Sequence, residues 1–346
     1  MDHRITRRAL LQGTSAAAGL FGLASLGAMA QGTPVASPVP AGEPLSLWTN
    51  SAVRTALIDF VTTTTTEGSP DYLDPVDRIA VFDNDGTLWC EQPLYVQMVF
   101  ATEQIKALFV QHPEWAAQEP WASVLKGDFD SLLAQGDFSV LTAMNTAPVG
   151  TSPDRFTAAA AEWLATARHP TLDRLYTDLV YTPMVQLLDY LRANGYQTWI
   201  VSGGSVWFIR ALSASSYDIP LNQVLGSMME TEYSVVDGQP HVSLTSEVGF
   251  ICNGPGKPVG ISHGIGRIPV LAFGNSDGDY QMLEYTTAGD GPSMGLLLHH
   301  DDAEREFAYD RDSRVGRLSE GLDNAAANGW YLVSMKDDFA EVFAPE

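Results

Sequence analysis

Two aspartates one residue apart end an apolar run in IAVFDNDGTLW, residues 79 to 89. Carboxylates this close repel one another and lose solvation, a cost that a shared cation or a reaction must offset. Asp83 and Asp85 are followed by Gly86 and Thr87, so the chain can turn sharply and present backbone groups beside them. The pair suits Mg2+, which takes one or two carboxylates and completes an octahedron with water and phosphate oxygens.

Three further stretches carry chemistry-bearing residues. VSGGS ends a second apolar run: Ser202 can hydrogen-bond an anion, Gly203 and Gly204 let backbone approach it, and the helix-forming VWFIRAL that follows aims its first N–H groups there. The plain alternative is a generic loop. Lys257 lies in NGPGKPVGI, where a buried amine would offset phosphate charge, although a lone lysine is more often solvated. FGNSDGDYQML brings Asn275, Asp277 and Asp279 to another strand end; a polar turn is the alternative. Neither acidic cluster is a calcium loop, because Gly86 comes two residues too early and Tyr280 stands where glycine is required.

These residues need elements to hold them. IAVFDND, QTWIVSGG, IPVLAFGNS, SMGLLLHH and WYLVSM read as strands. TPMVQLLDYLRANG reads as a helix, with Thr182 as N-cap, Pro183 at N1 and Gly195 as its stop. The alternation predicts an α/β fold, a Rossmann-like doubly wound parallel sheet, in which ligands bind beyond the carboxyl ends of the strands. More than a hundred residues separate the first two strands. They contain the helical patterns YVQMVFATEQIKALFVQ and SPDRFTAAAAEWLATA, the latter N-capped by Ser152, and predict an inserted, mainly helical cap. SAVRTALIDFV predicts an earlier helix, and Thr62 to Thr66 a solvated connection after it.

The expected organisation is an export signal over residues 1–30, a Pro- and Ala-rich linker over 31–46, a core over 47–92 and 180–346, and the cap over 93–179. Thr6-Arg7-Arg8, an apolar run rich in small residues and Ala28-Met29-Ala30 read as a cleavable twin-arginine-type signal. That places the mature protein in the periplasm or outside the cell, with no membrane partner after cleavage. The whole chain of 346 residues has a net charge of −23; without Arg4, Arg7, Arg8 and Asp2 it holds 16 basic against 41 acidic residues, or −25. Such a charge argues against nucleic acid and anionic lipid as partners, and it obliges any phosphate site to build its own positive field. Cys90 and Cys252 cannot form a zinc site alone, and an oxidising compartment permits a disulfide between them.

The order DNDGT, SGG, lysine, GNSDGD resembles the haloacid dehalogenase superfamily, over residues 79 to 335. More closely, it is similar to the phosphoserine-phosphatase-like phosphatases with a helical cap after the first motif. The resemblance implies Asp83 as nucleophile forming an aspartyl-phosphate, and Asp85 as general acid and then base. It implies Ser202, Gly203 and Gly204, with Thr87, at the phosphate, Lys257 bridging nucleophile and phosphate, and Mg2+ held by Asp83, Asp85 through its backbone carbonyl, Asn275 and Asp279. Asparagine at 275, where the family often has aspartate, predicts weaker metal affinity and a larger share for Asp279 or Asp277. Trp89 and Glu91 fall where substrate is chosen, Glu91 one position off the expected alignment; Arg155, Arg168 and Arg174 are candidate cap contacts. The expected activity is hydrolysis of a small-molecule phosphomonoester. A phosphotransferase or phosphomutase, or a non-catalytic phosphate- or metal-binding protein, is the alternative. Substrate and oligomeric state are not legible.

Overall fold

The computed structural model describes residues 43–345. The signal expected over 1–30 and most of the linker expected over 31–46 lie outside the described residues. Helix α1, Ala52–Thr65, starts at Ser51, whose side chain accepts from the Arg54 amide. Leu57 and Val61, one turn apart, are wholly buried, and each such burial contributes about 1.5–3 kcal/mol. The threonine run expected as a connection continues this helix instead. Thr62, Thr63, Thr64 and Thr65 each donate a hydroxyl to the carbonyl four residues back, at 2.6–2.9 Å, so local hydrogen bonding offsets their poor helix propensity.

Strand β1, Ile79–Phe82, is buried along its length. Between it and β2, Gln197–Ser205, come helices α2, Val96–Leu108, α3, Trp121–Lys126, α4, Phe129–Ala134, α5, Asp137–Met144, α6, Pro153–Leu164, and α7, Thr182–Ala193. Ser152 caps α6 as its sequence predicts. In α7 Thr182 is the first helical residue and not the cap, with its hydroxyl turned to Glu341 Oε1 at 3.0 Å. Helices α2 to α5 share an apolar cluster that includes Met98, Ile105, Val124, Leu132 and Leu141. Helix α6 joins the main core through Phe156, Ala160 and Leu164, as α2 does through Val96 and Phe100, so the helical insert is anchored at both ends.

Helix α8, Val206–Tyr217, leads to a long antiparallel hairpin of β3, Val224–Val236, and β4, Gln239–Phe250. Its two-residue turn, Asp237 and Gly238, has φ of 52° and 77°, both positive as a tight hairpin of this kind requires. Helix α9, Gly256–Gly264, β5, Leu271–Gly274, α10, Tyr280–Thr287, β6, Met294–Asp301, β7, Ala308–Tyr309, and β8, Tyr331–Ser334, follow.

The strand order is β4-β3-β2-β1-β5-β6-β7, with β8 alongside β6. β1 is parallel to both neighbours, β2 and β5. The chain therefore winds outward from β1 first in one direction and then in the other. The crevice beyond the carboxyl end of β1 is the switch point where doubly wound sheets bind ligands. Alternate residues of β1 serve separate cores: Ala80 and Phe82 belong to one cluster, Ile79 and Val81 to another. Cys90 lies in the first and Cys252 in the second, both as buried free thiols, so the sheet separates the pair for which a disulfide was open.

Candidate active site

Asp83 is the first residue past β1, and its amide donates to Phe273 O at 2.9 Å, which extends the ladder to β5 by one bond. The chain then curls on itself. Asn84 O accepts from Leu88 N at 2.8 Å, and Gly86 N donates to Trp89 O at 2.9 Å. Gly86 takes φ +75°, and a side chain there would collide with Asn275 Nδ2 and Glu91 Oε1, so the turn demands glycine twice over. The curl brings the Trp89 indole N–H to Asp85 Oδ1 at 3.0 Å.

Lys257 reaches this turn from the first turn of α9. Its ammonium donates to Asp83 Oδ1 at 2.6 Å, Asp279 Oδ1 at 2.6 Å and Val201 O at 2.7 Å. An ammonium has three N–H donors, and all three are engaged within the protein. Burial alone would lower the Lys257 pKa, but the Asp279 and Asp83 carboxylates outweigh it and raise it. Burial, reinforced by Asp279 and only partly offset by Lys257, pushes the Asp83 carboxyl up to about 7. Burial also raises Asp85 against the indole hydrogen bond, and lifts Glu91 well above the ordinary carboxylate range.

Asp279 serves the scaffold. Its Oδ1 meets Lys257, while Oδ2 accepts from the Asn275 and Ser276 amides, both at 3.0 Å, and from the Ser276 hydroxyl at 3.1 Å. With both oxygens engaged it is a brace for the loop after β5, not a free metal ligand. Asp277 turns away to accept from Ser319 N at 2.9 Å and Gly321 N at 3.1 Å. Asn275 is buried with both side-chain ends engaged: Oδ1 accepts from Thr87 Oγ1 at 3.1 Å, and Nδ2 donates to Glu91 Oε1 at 2.7 Å. Tyr309 OH donates to the same Glu91 oxygen at 2.8 Å.

A cavity of about 210 Å³ opens at this point. Asp83, Asp85, Glu91, Lys257, Ser202, Gly203 and Gly204 line it, so the structure brings these sequence-predicted residues to one space. Thr87, Asn275 and Asp279 form the layer behind. Ser202 Oγ accepts from Gly204 N at 3.1 Å, and Ser227 Oγ fixes the loop by donating to Gly203 O at 2.8 Å. Leu133, Val140, Leu141 and Met144 form the wall opposite, from α4 and α5. Two polar contacts tie this wall to the rest: Asn253 Nδ2 to Asp137 Oδ2 at 2.9 Å, and Arg314 Nε to Asp130 Oδ1 at 3.1 Å. The arginines expected from the insert do not reach the cavity. Arg168 pairs with Asp173, Arg174 donates to Ala344 O at 2.8 Å, and Arg155 lies on the exposed first turn of α6.

Sequence reading missed Tyr309, His300 and Gln97. His300 Nε2 donates to Gly86 O at 2.8 Å and its Nδ1 lies 3.1 Å from Glu306 Oε2, a buried prop under the aspartate turn. Their distance along the chain hides the first two. Gln97 had a local signal, an amide inside the apolar YVQMVF.

The donor set suits a hard, oxygen-loving cation. Among the described residues no three His, Cys, Asp or Glu side chains are grouped to hold a metal. Mg2+, which needs only one or two carboxylates, would take Asp83 with the Asp85 carbonyl and the Asn275 amide oxygen, which has a single hydroxyl partner, before Asp279, whose oxygens hold Lys257, two amides and a hydroxyl.

The family model described as haloacid dehalogenase-like hydrolase matches residues 80–284. A crystal structure of a conserved protein of unknown function from Anaerococcus prevotii is similar over 75% of this chain and 89% of its own, at 14% identity and a TM-score of 0.52. A phosphoserine phosphohydrolase-like protein from Francisella tularensis is similar over 72% and 98%, at 15% identity and a TM-score of 0.39. The first likeness bears on the fold alone. No curated protein matches the chain.

Proposed function

Because the chain belongs to the haloacid dehalogenase-like hydrolases, we propose that it is a Mg2+-dependent phosphomonoesterase acting on a small organic phosphate. The observation that carries this reading is the second carboxylate: Asp85 lines the cavity beside Asp83, held by the Trp89 indole, with burial favouring its protonated form. A nucleophile alone needs no such neighbour, whereas expulsion of an alcohol needs a proton donor.

An Asp83 carboxylate oxygen attacks phosphorus, and the phosphorus–oxygen bond to the alcohol breaks as Asp85 gives that oxygen its proton. Asp85, now a carboxylate, takes a proton from water as the water oxygen attacks the aspartyl-phosphate. The bond between phosphorus and Asp83 then breaks, releasing inorganic phosphate and restoring both side chains. Mg2+, when bound by Asp83, the Asp85 carbonyl and Asn275, supplies charge stabilisation to the transferring group. Ser202 and the Gly203 amide orient the phosphoryl oxygens, while the Gly204 amide holds the Ser202 hydroxyl in place. Lys257 keeps the Asp83 carboxylate in place while Asp279 holds Lys257.

Hydrolysis of p-nitrophenyl phosphate, with and without EDTA and with Asp83→Asn as control, tests the mechanism. Activity that persists without divalent metal, or in the variant, refutes it. Arg7-Arg8 and the Ala28-Met29-Ala30 site support export as the setting, and processing of the chain into the periplasmic fraction of a bacterial host checks that.

A further inference from the structure

Gln97, the second residue of α2, is 4% exposed, and its side-chain oxygen accepts from Ser205 N at 2.8 Å. A backbone amide can only donate, so this bond fixes which end of the glutamine is oxygen. The Nε2 end is left with no partner. A buried donor without an acceptor costs about 1–3 kcal/mol, and native proteins keep few of them. Several other buried polar atoms lack partners among the described residues, but of those residues only Gln97 also lines the cavity with Ser202, Gly203 and Gly204. It packs onto the glycine loop itself: a methyl group on Gly204 would stand 3.3 Å from Gln97 Oε1.

We infer that Gln97 is a substrate-binding residue whose Nε2 donates to an anionic oxygen of the phosphoryl group. The inference rests on the phosphatase reading above. With its oxygen occupied, the amide can offer only N–H groups, so its ligand atom is an acceptor. The phosphoryl group at the Ser202 loop is the acceptor-rich partner that the cavity is proposed to receive. The need is real, because the three Lys257 donors are taken by Asp83, Asp279 and Val201. Neutral donors must then supply contacts that a free lysine would make. Because Gln97 stands on the helical insert while its anchor Ser205 ends β2, phosphoryl binding would involve both parts of the fold.

Two substitutions separate this role from a structural one. Gln97→Glu keeps an oxygen for the Ser205 amide and replaces the donor by a second oxygen. Gln97→Met removes both and leaves the Ser205 amide unpaired. A purely structural glutamine, serving only the Ser205 amide, leaves phosphate inhibition undiminished in the folded Met variant; a phosphoryl ligand weakens it in both variants, and more in Glu, whose second oxygen faces the anion. Competitive inhibition by inorganic phosphate, with Mg2+ present, and KM for p-nitrophenyl phosphate are the readouts. The expectation is phosphate inhibition weakened about tenfold or more in Gln97→Glu, with a smaller loss in Gln97→Met, each variant compared with wild type at a temperature where it remains folded. Phosphate inhibition equal to wild type in Gln97→Glu overturns the inference while leaving the phosphatase reading standing, and if Glu fails to fold, undiminished inhibition in the Met variant does the same. A wild-type protein that neither hydrolyses the ester nor is inhibited by phosphate overturns both.

Discussion

Asn275 and Glu91, 184 positions apart in the chain, are joined by one buried hydrogen bond of 2.7 Å from amide nitrogen to carboxylate oxygen. Asparagine at 275 therefore does more than forgo a charge. Its nitrogen satisfies Glu91, and its oxygen is thereby turned toward the Thr87 hydroxyl. The sequence alone suggested that aspartate at 275 would bind metal more tightly. The geometry predicts the reverse for the single change, since Asn275→Asp sets two carboxylates against each other. At pH 8, Mn2+ or Mg2+ affinity measured by calorimetry should fall roughly tenfold in Asn275→Asp and recover in Asn275→Asp with Glu91→Gln, a coupling within the range of directly touching residues. Additive effects of the two substitutions would count against the pairing.

Lys257 neutralises two buried carboxylates, so its removal strands both. Lys257→Met should destabilise the fold by about 3–5 kcal/mol, the usual result of breaking a buried ion pair from one side. Adding Asp279→Asn should restore part of that loss. Urea unfolding of the two variants measures it; a double variant no more stable than the single one would show that charge is not the cause.

Asp85→Asn retains the shape of the site and removes its proton donor. Turnover should drop by roughly 10²–10⁴-fold, the ordinary worth of a general acid and base. Trp89→Phe, which removes the indole hydrogen bond to Asp85 and some buried ring volume, should cost less and act on kcat more than on KM. Steady-state kinetics with p-nitrophenyl phosphate decide both.

His169 sets an acid limit on stability. Its Nε2 donates to Gln92 O at 2.6 Å, and its Nδ1 accepts from the Thr171 and Leu172 amides at 3.2 and 3.0 Å. A proton on Nδ1 would confront two N–H groups, and burial already lowers the ring's pKa below the ordinary 6.5. The unfolded chain consequently binds a proton at this ring before the folded chain does. Its contribution to stability is complete above pH 6.5 and is lost as the pH falls through the range below. His169→Gln should be less stable at pH 7.5 yet show a shallower decline toward pH 5, as read from urea midpoints; parallel profiles would exclude the ring as the cause.

The parts of the fold that announced themselves did so through contrast. Each of β1, β2, β5, β6 and β8 is an apolar run that a polar motif or turn cuts off, and Ser152 marks the start of α6 by hydroxyl and proline together. The β3 and β4 hairpin was not read because it has little contrast to show. Much of it is exposed on both faces, with Tyr233, Val235, Val236 and Val242 open to solvent, so the Asp237-Gly238 turn was its one signal. The threonines of α1 were misread from propensity, which cannot anticipate hydroxyls bonding back along the helix. In the site, the residue types that could act were visible, but their division of labour was not. That Asp279 braces Lys257, and that Glu91 answers to Asn275 and Tyr309, depends on contacts across 22, 184 and 218 positions.

Both cationic side chains along the cavity already face carboxylates, Lys257 between Asp83 and Asp279, and Arg314 against Asp130. A dianionic ester entering alone would meet no unclaimed positive charge. Ester and divalent ion should for that reason bind as a cooperative pair, each tightening the other by the same factor, as thermodynamic reciprocity requires. If the chain is exported as proposed, the free cation level of the surrounding medium would then govern how well the substrate is held, as well as how fast it is cleaved.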